Sequence, residues 1–102
     1  MIVEYALLNI KPNQNADFEA AFAIAQNIIA SMSGYISHQL LKCTEHENQY
    51  LLWVKWESLE DHTIGFRNSP QYQEWRALLH HFYEPFPEVL HFTIMNSLSS
   101  AD

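Results

Sequence analysis

The stretch Trp56–His91, WESLEDHTIGFRNSPQYQEWRALLHHFYEPFPEVLH, decides how the chain is read, because two helix-start signals inside it separate strand-like sequence on either side. Ser58 and Asp61 have the spacing of a capping box, in which a hydroxyl and a carboxylate satisfy free amides of a first turn, so a short helix is expected from about Leu59. Ser69 before Pro70 is the second signal. A serine side chain accepts from an orphan amide, and proline at the first helical position lacks only an amide the helix leaves unpaired. A longer helix is expected from Pro70 to about Tyr83. The stretch also holds two of the three Trp and four of the six His, which makes it the first place to look for a site.

Working outward, Tyr50, Leu52, Val54 and Trp56 form one face of a strand and Leu51 and Trp53 much of the other. Tyr35–Thr44 reads as its hairpin partner across a polar turn at Glu45–Gln49. On the far side, two prolines in Glu84–Pro87 end helix, and Val89–Met95 returns to strand composition. At the start of the chain, Ile2–Ile10 is apolar at both odd and even positions and reads as a strand covered on two sides. The turn after it ends in an expected N-cap at Asn15, and Asp17 and Glu19 then suit the positive end of a helix. Phe18, Phe22, Ala25, Ile29 and Met32 lie on one stripe of that helix, with Gly34 as its stop. Residues 97–102 are expected to be a frayed tail.

The order is strand, helix, strand, strand, broken helix, strand: an α+β, ferredoxin-like βαββαβ unit with an antiparallel sheet, in one domain spanning 1–102. Helices in such a unit cover one sheet face. The first and third strands are apolar on both, so a second copy is expected to close the other face, giving a homodimeric α/β-barrel.

Composition excludes several classes. Five Lys and Arg against twelve Asp and Glu give a formal charge of −7, which repels phosphate backbones and anionic lipid, so no nucleic acid partner is expected. No apolar run approaches the roughly 20 residues that cross a bilayer, and MIVEYALLNI lacks the form of a signal peptide. With a single cysteine, Cys43, a reducing cytoplasm is the expected setting and no membrane the expected partner. Two glycines, Gly34 and Gly65, cannot build a dinucleotide fingerprint or a P-loop, and no HExxH or Cys-His cluster is present. Neither cofactor nor metal is expected.

Candidate site residues each have a second reading. His62 shares a helical face with Leu59 and Phe66, either as a proton acceptor or as a packed ring. His38 and His91 lie on strands, facing a site or solvent. Tyr72, Trp75, Leu79 and Phe82 share a stripe that serves as core or as the wall of an aromatic pocket, with Trp56 nearby. Arg67 and Arg76 are the adjacent cations, suited to an oxyanion or to surface pairing with Glu60 or Glu74.

The run Leu51–Trp56, then WESLEDH, GFRNSPQYQEWRALL and PEVLHF, resembles the antibiotic biosynthesis monooxygenase family of small dimeric ferredoxin-like barrels, over nearly the whole chain. The resemblance implies a cofactor-independent monooxygenase taking a small phenol or hydroquinone and dioxygen. Non-catalytic binding of a small hydrophobic ligand and isomerase chemistry are the alternatives on the same fold. Trp56 matches a Trp at the site of some of these oxygenases. Those members carry Asn four residues before it and Tyr six after, where this chain has Leu52 and His62. Many members read HLxSP where this chain reads FRNSP, so Phe66 replaces a His. The heme-degrading branch uses an Asn, a Trp and a His where this chain offers Tyr5, Phe66 and Arg76, which disfavours heme degradation. The expected assignment is His62 as general base, with the Trp56 indole and Arg76 or Arg67 as oxyanion donors. Phe66, Tyr72 and Trp75 are expected as walls, and His38 and His91 as further substrate contacts.

Overall fold

A computed structural model describes residues 1–99. Its elements are β1 (Ile2–Asn9), α1 (Asn15–Ala30), β2 (Tyr35–Lys42), β3 (Gln49–Trp56), a π-helical segment (Asp61–Phe66), α2 (Pro70–Leu79), a 3-10 turn (His80–Phe82) and β4 (Val89–Thr93). The strands form one antiparallel sheet in the order β2-β3-β1-β4, which is the ferredoxin-like arrangement. Residues 97–99 of the expected tail carry no regular structure, and the rest of it lies outside the described residues. Among the described residues no helix is long and apolar enough to cross a membrane.

Side chains alternate across a strand, so β1 divides cleanly. Ala6 and Leu8 join Tyr50, Leu52, Val54 and Trp56 of β3 in the core, under Phe18, Phe22, Ala25 and Ile29 of α1 and Trp75 and Leu79 of α2. Tyr5 and Leu7 point the other way. With Leu90 and Phe92 of β4 they make an apolar surface left 40–48% exposed.

Local chemistry explains most boundaries. Ser69 caps α2 as expected, its Oγ accepting from the Tyr72 amide at 3.1 Å behind Pro70. Ser58 accepts from the Asp61 amide at 3.2 Å, but the Asp61 carboxylate accepts from the Ser58 hydroxyl at 3.0 Å instead of from a backbone amide. The box is thus half formed. The turn starting at Leu59 widens into a π-helix, with the Arg67 amide donating to the His62 carbonyl five residues back at 3.1 Å. Asn15 is not the cap of α1: it is the first helical residue, and its side-chain amide donates to the Glu47 carbonyl at 2.8 Å and the Tyr50 hydroxyl at 3.1 Å. Gly34 sits at φ 84°, and a Cβ there would fall 2.2 Å from the Asp61 side chain, so both backbone and space require glycine. β2 and β4 each stop two residues short of the expected ends.

Candidate functional site

Between the core face of the sheet and α2 lies a cavity of about 410 Å³. Glu4, Ala6 and Leu8 of β1 and Leu52 of β3 supply its floor, and His62, Phe66 and Arg67 come from the π-helical segment and its C-terminal end. Tyr72 and Trp75 of α2 and, beyond it, His80 and Tyr83 complete most of the wall. Phe66 is the hinge of the aromatic packing, edge-on to Tyr72 at 5.2 Å and to Trp75 at 5.7 Å. The walls are therefore largely aromatic, with several polar groups converging on the cavity.

Glu4 is the unusual member. It occupies an inward position of β1, opposite Val54 of β3 and His91 of β4, and is only 5% exposed. The Trp56 indole N–H donates to its Oε1 at 3.0 Å, and His62 Nε2 lies 3.3 Å from the same oxygen. His62 is 3% exposed, with its ring stacked on Trp56 at 5.4 Å and its Nδ1 2.8 Å from His91 Nε2. Burial raises the Glu4 carboxyl to about 7 from 4.5, against the opposing pull of the Trp56 hydrogen bond and the Arg67 charge. Burial likewise lowers His62 to about 3 from 6.5, helped by the positive charges of Arg67 and His91. His91 is held below the ordinary range by burial and then by Arg67. At neutral pH the imidazole of His62 is thus uncharged, and its 3.3 Å contact with Glu4 is not an ion pair. One carboxylate and two imidazoles could suggest a metal site, but His62 directs its two nitrogens at opposite partners, so the three cannot converge on one ion. Among the described residues no group of three His, Cys, Asp or Glu has metal-binding geometry.

Of the residues expected from sequence, His62, Phe66, Arg67, Tyr72 and Trp75 line the cavity. Trp56 is fully buried behind it and meets Glu4, and His91 stands behind His62. Two expectations need correcting. Arg76 lies exposed outside the cavity, because a helix turns about 100° per residue and Trp75 takes the inward direction. His38 belongs to a separate cluster, bonded to the Tyr35 hydroxyl and 2.9 Å from Gln26 Oε1, with its ring against Phe22. Tyr5, at the position the heme-degrading branch gives to Asn, faces away from the cavity. Sequence reasoning missed Glu4, His80 and Tyr83. The signal for Glu4 was present: a carboxylate between Ile2 and Ala6 on an otherwise apolar face.

Known proteins resemble this chain in sequence and in fold. The chain is 58% identical over 92 residues to the uncharacterised Bacillus subtilis (strain 168) protein YczJ, an overlap covering 90% of this chain and 97% of YczJ. A Bordetella bronchiseptica protein provisionally described as an antibiotic biosynthesis monooxygenase superimposes with a TM-score of 0.89 at 33% identity, over 93% of this chain and 97% of that one. A point mutant of SnoaB, a cofactor-independent oxygenase from Streptomyces nogalater, shares the fold with a TM-score of 0.83 at 19% identity over 97% of both chains. The antibiotic biosynthesis monooxygenase family model matches residues 1–78, so this chain, with its carboxylate-floored aromatic cavity, belongs to that family.

Proposed function

We propose that the protein is a cofactor-independent monooxygenase acting on a small phenol or hydroquinone, with Glu4 as the proton acceptor. The observation that carries the reading is geometric: the Glu4 carboxyl is buried at the floor of an aromatic cavity, and that burial pushes it up to about 7, a value suited to a general base for a bound phenol. The role expected from sequence for His62 alone passes to the Glu4–His62 pair, since an imidazole lowered to about 3 is too weak a base to act by itself. Trp56 positions Glu4 through its indole N–H, and Arg67 at the cavity holds the phenolate oxygen. Phe66, Tyr72 and Trp75 enclose the ring and limit water around it. The phenolate then reduces dioxygen directly: phenol and O2 give quinone and water, with one oxygen atom entering the ring, and no metal or flavin takes part.

Membership of the family and the SnoaB-like fold support this class of reaction. We further propose that a second copy covers the apolar outer face at Tyr5, Leu7, Leu90 and Phe92, making a homodimer. The decisive experiment supplies a panel of hydroquinones and naphthols to the metal-stripped protein in an oxygen-electrode cell. Equimolar oxygen and substrate consumption with a quinone product is expected. Turnover without oxygen uptake would assign the same base to an isomerase reaction, and substrate binding without turnover would make the cavity a binding site only.

A further inference from the structure

Glu4, His62 and His91 stand in a line. Both Trp56 Nε1 and His62 Nε2 approach Glu4 through Oε1, and Glu4 lines the cavity. His62 uses Nε2 toward Glu4 and Nδ1 toward His91 Nε2, so its ring bridges the two with no water between. His91 is half-buried on β4, an edge strand of the sheet. We propose that these three residues form a proton wire between the cavity and solvent at the sheet edge, through which Glu4 releases and recovers the proton it takes from substrate. The proposal rests on the reading of Glu4 as proton acceptor and adds where that proton goes.

Tautomers alone balance the transfer. With Glu4 protonated, its O–H donates to His62 Nε2, His62 Nδ1–H donates to His91 Nε2, and His91 carries its other proton on Nδ1. Release moves three protons by one step each: Glu4 to His62 Nε2, His62 Nδ1 to His91 Nε2, and His91 Nδ1 to water. The end state is an ionised Glu4 accepting from His62 Nε2–H, with His62 Nδ1 accepting from His91 Nε2–H. Neither ring holds a positive charge before or after. That suits a site where burial and Arg67 both disfavour imidazolium. Running the wire backwards returns the proton to the cavity, where the departing oxygen atom of O2 needs it to leave as water. The titratable groups facing the wire are Arg67, just past the π-helical segment, whose charge acts on all three members, and Tyr83, whose phenol is pushed up by burial and by Glu4. His91 touches no substrate in this scheme and is a positioning residue for the proton on Glu4.

The test reads ring tautomers by 15N NMR in the substrate-free protein, alongside the Glu4 carboxyl stretch by infrared difference spectroscopy. Both His62 and His91 are expected to change from Nδ1–H to Nε2–H at one midpoint, shared with Glu4 ionisation near pH 7. A fixed tautomer in either ring, or imidazolium formation in either at that midpoint, would overturn the wire. This readout needs no turnover, so it stands apart from the oxygenase assay. Where turnover is seen, His91→Ala should lower kcat on the order of tenfold with KM unchanged, and imidazole in the buffer should restore it. An unchanged kcat would also overturn the wire.

Discussion

The two faces of the sheet carry opposite anomalies. Glu4 and Tyr5 are neighbours on β1, yet the carboxyl points into the core and the aromatic ring points out, where it meets Phe92 edge-on at 5.5 Å. The inner face buries a carboxyl and an imidazole among apolar side chains, and the outer face exposes a broad apolar surface. A buried carboxyl disfavours its charged form, and an exposed apolar patch leaves surface in water that burial would stabilise. Each face therefore holds the residues a sheet built only for stability would put on the other. The inner anomaly surrounds a cavity, which is the basis of the proposed chemistry; the outer one is an exposed apolar surface, which is the basis of the proposed association.

The sharpest way to break this comparison is to neutralise the inner face. Glu4→Gln keeps the shape and an acceptor for Trp56 but removes the base, and turnover should fall roughly 10²- to 10⁴-fold. In the wild type, kcat/KM should rise with pH through a midpoint near 7 as Glu4 ionises. A midpoint at an ordinary carboxylate pKa would mean the inner face is not special.

The same substitution should stabilise the fold. A carboxyl raised from 4.5 to about 7 binds its proton more tightly when folded, so stability is lost as pH rises from 4.5 to about 7 and the loss is complete above that. Glu4→Gln should therefore gain on the order of 3 kcal/mol at pH 8, read by denaturant unfolding. His62 works in the opposite sense. Its folded value is lowered from 6.5 to about 3, so stability is lost as pH falls through that interval. Between pH 4.5 and 6.5 the two slopes have opposite sign and should nearly cancel, which makes the unfolding free energy flat there and falling on either side. A monotonic slope across that window would show that one of the two groups titrates normally.

The outer face should give the smallest effect. Leu7→Lys places a charge in the surface we assign to a second copy and should weaken dimerisation by about 2 kcal/mol, some thirtyfold in Kd. Sedimentation at micromolar concentration measures it. A wild type that sediments as a monomer would remove the association half of the comparison and leave the inner half intact.

The fold was legible because its signals are local. The alternation along β3, the Ser69-Pro70 start and the spacing of Phe18, Phe22, Ala25 and Ile29 each specify an element without reference to the rest. His62, Phe66, Tyr72 and Trp75 could be placed together for the same reason, since helical spacing and one short loop relate them. Glu4 could not. Its partner Trp56 is 52 residues away and its other contacts come from the π-helical segment and β4, so its meaning depends on a register that no local pattern encodes. Within β1 it reads as a lone polar interruption. Arg76 is the converse case: its closeness to Trp75 in sequence predicts the same space, and the helical phase separates them.

The π-helical winding of Asp61–Phe66 makes chain length a constraint of its own. The ordinary ladder resumes at once, the Asn68 amide donating to the Ile64 carbonyl four residues back at 3.1 Å, so the segment is in effect an α-helix carrying one extra residue. Removing that residue would restore the α-helix and swing the turn before it by about 100° relative to the turn after it. His62 would leave Glu4 while Phe66 stayed over Trp75. Side chains between Trp56 and Ser69 other than His62 can therefore change one by one with the proposed proton path intact, but a change of even one residue in the length of that segment severs it.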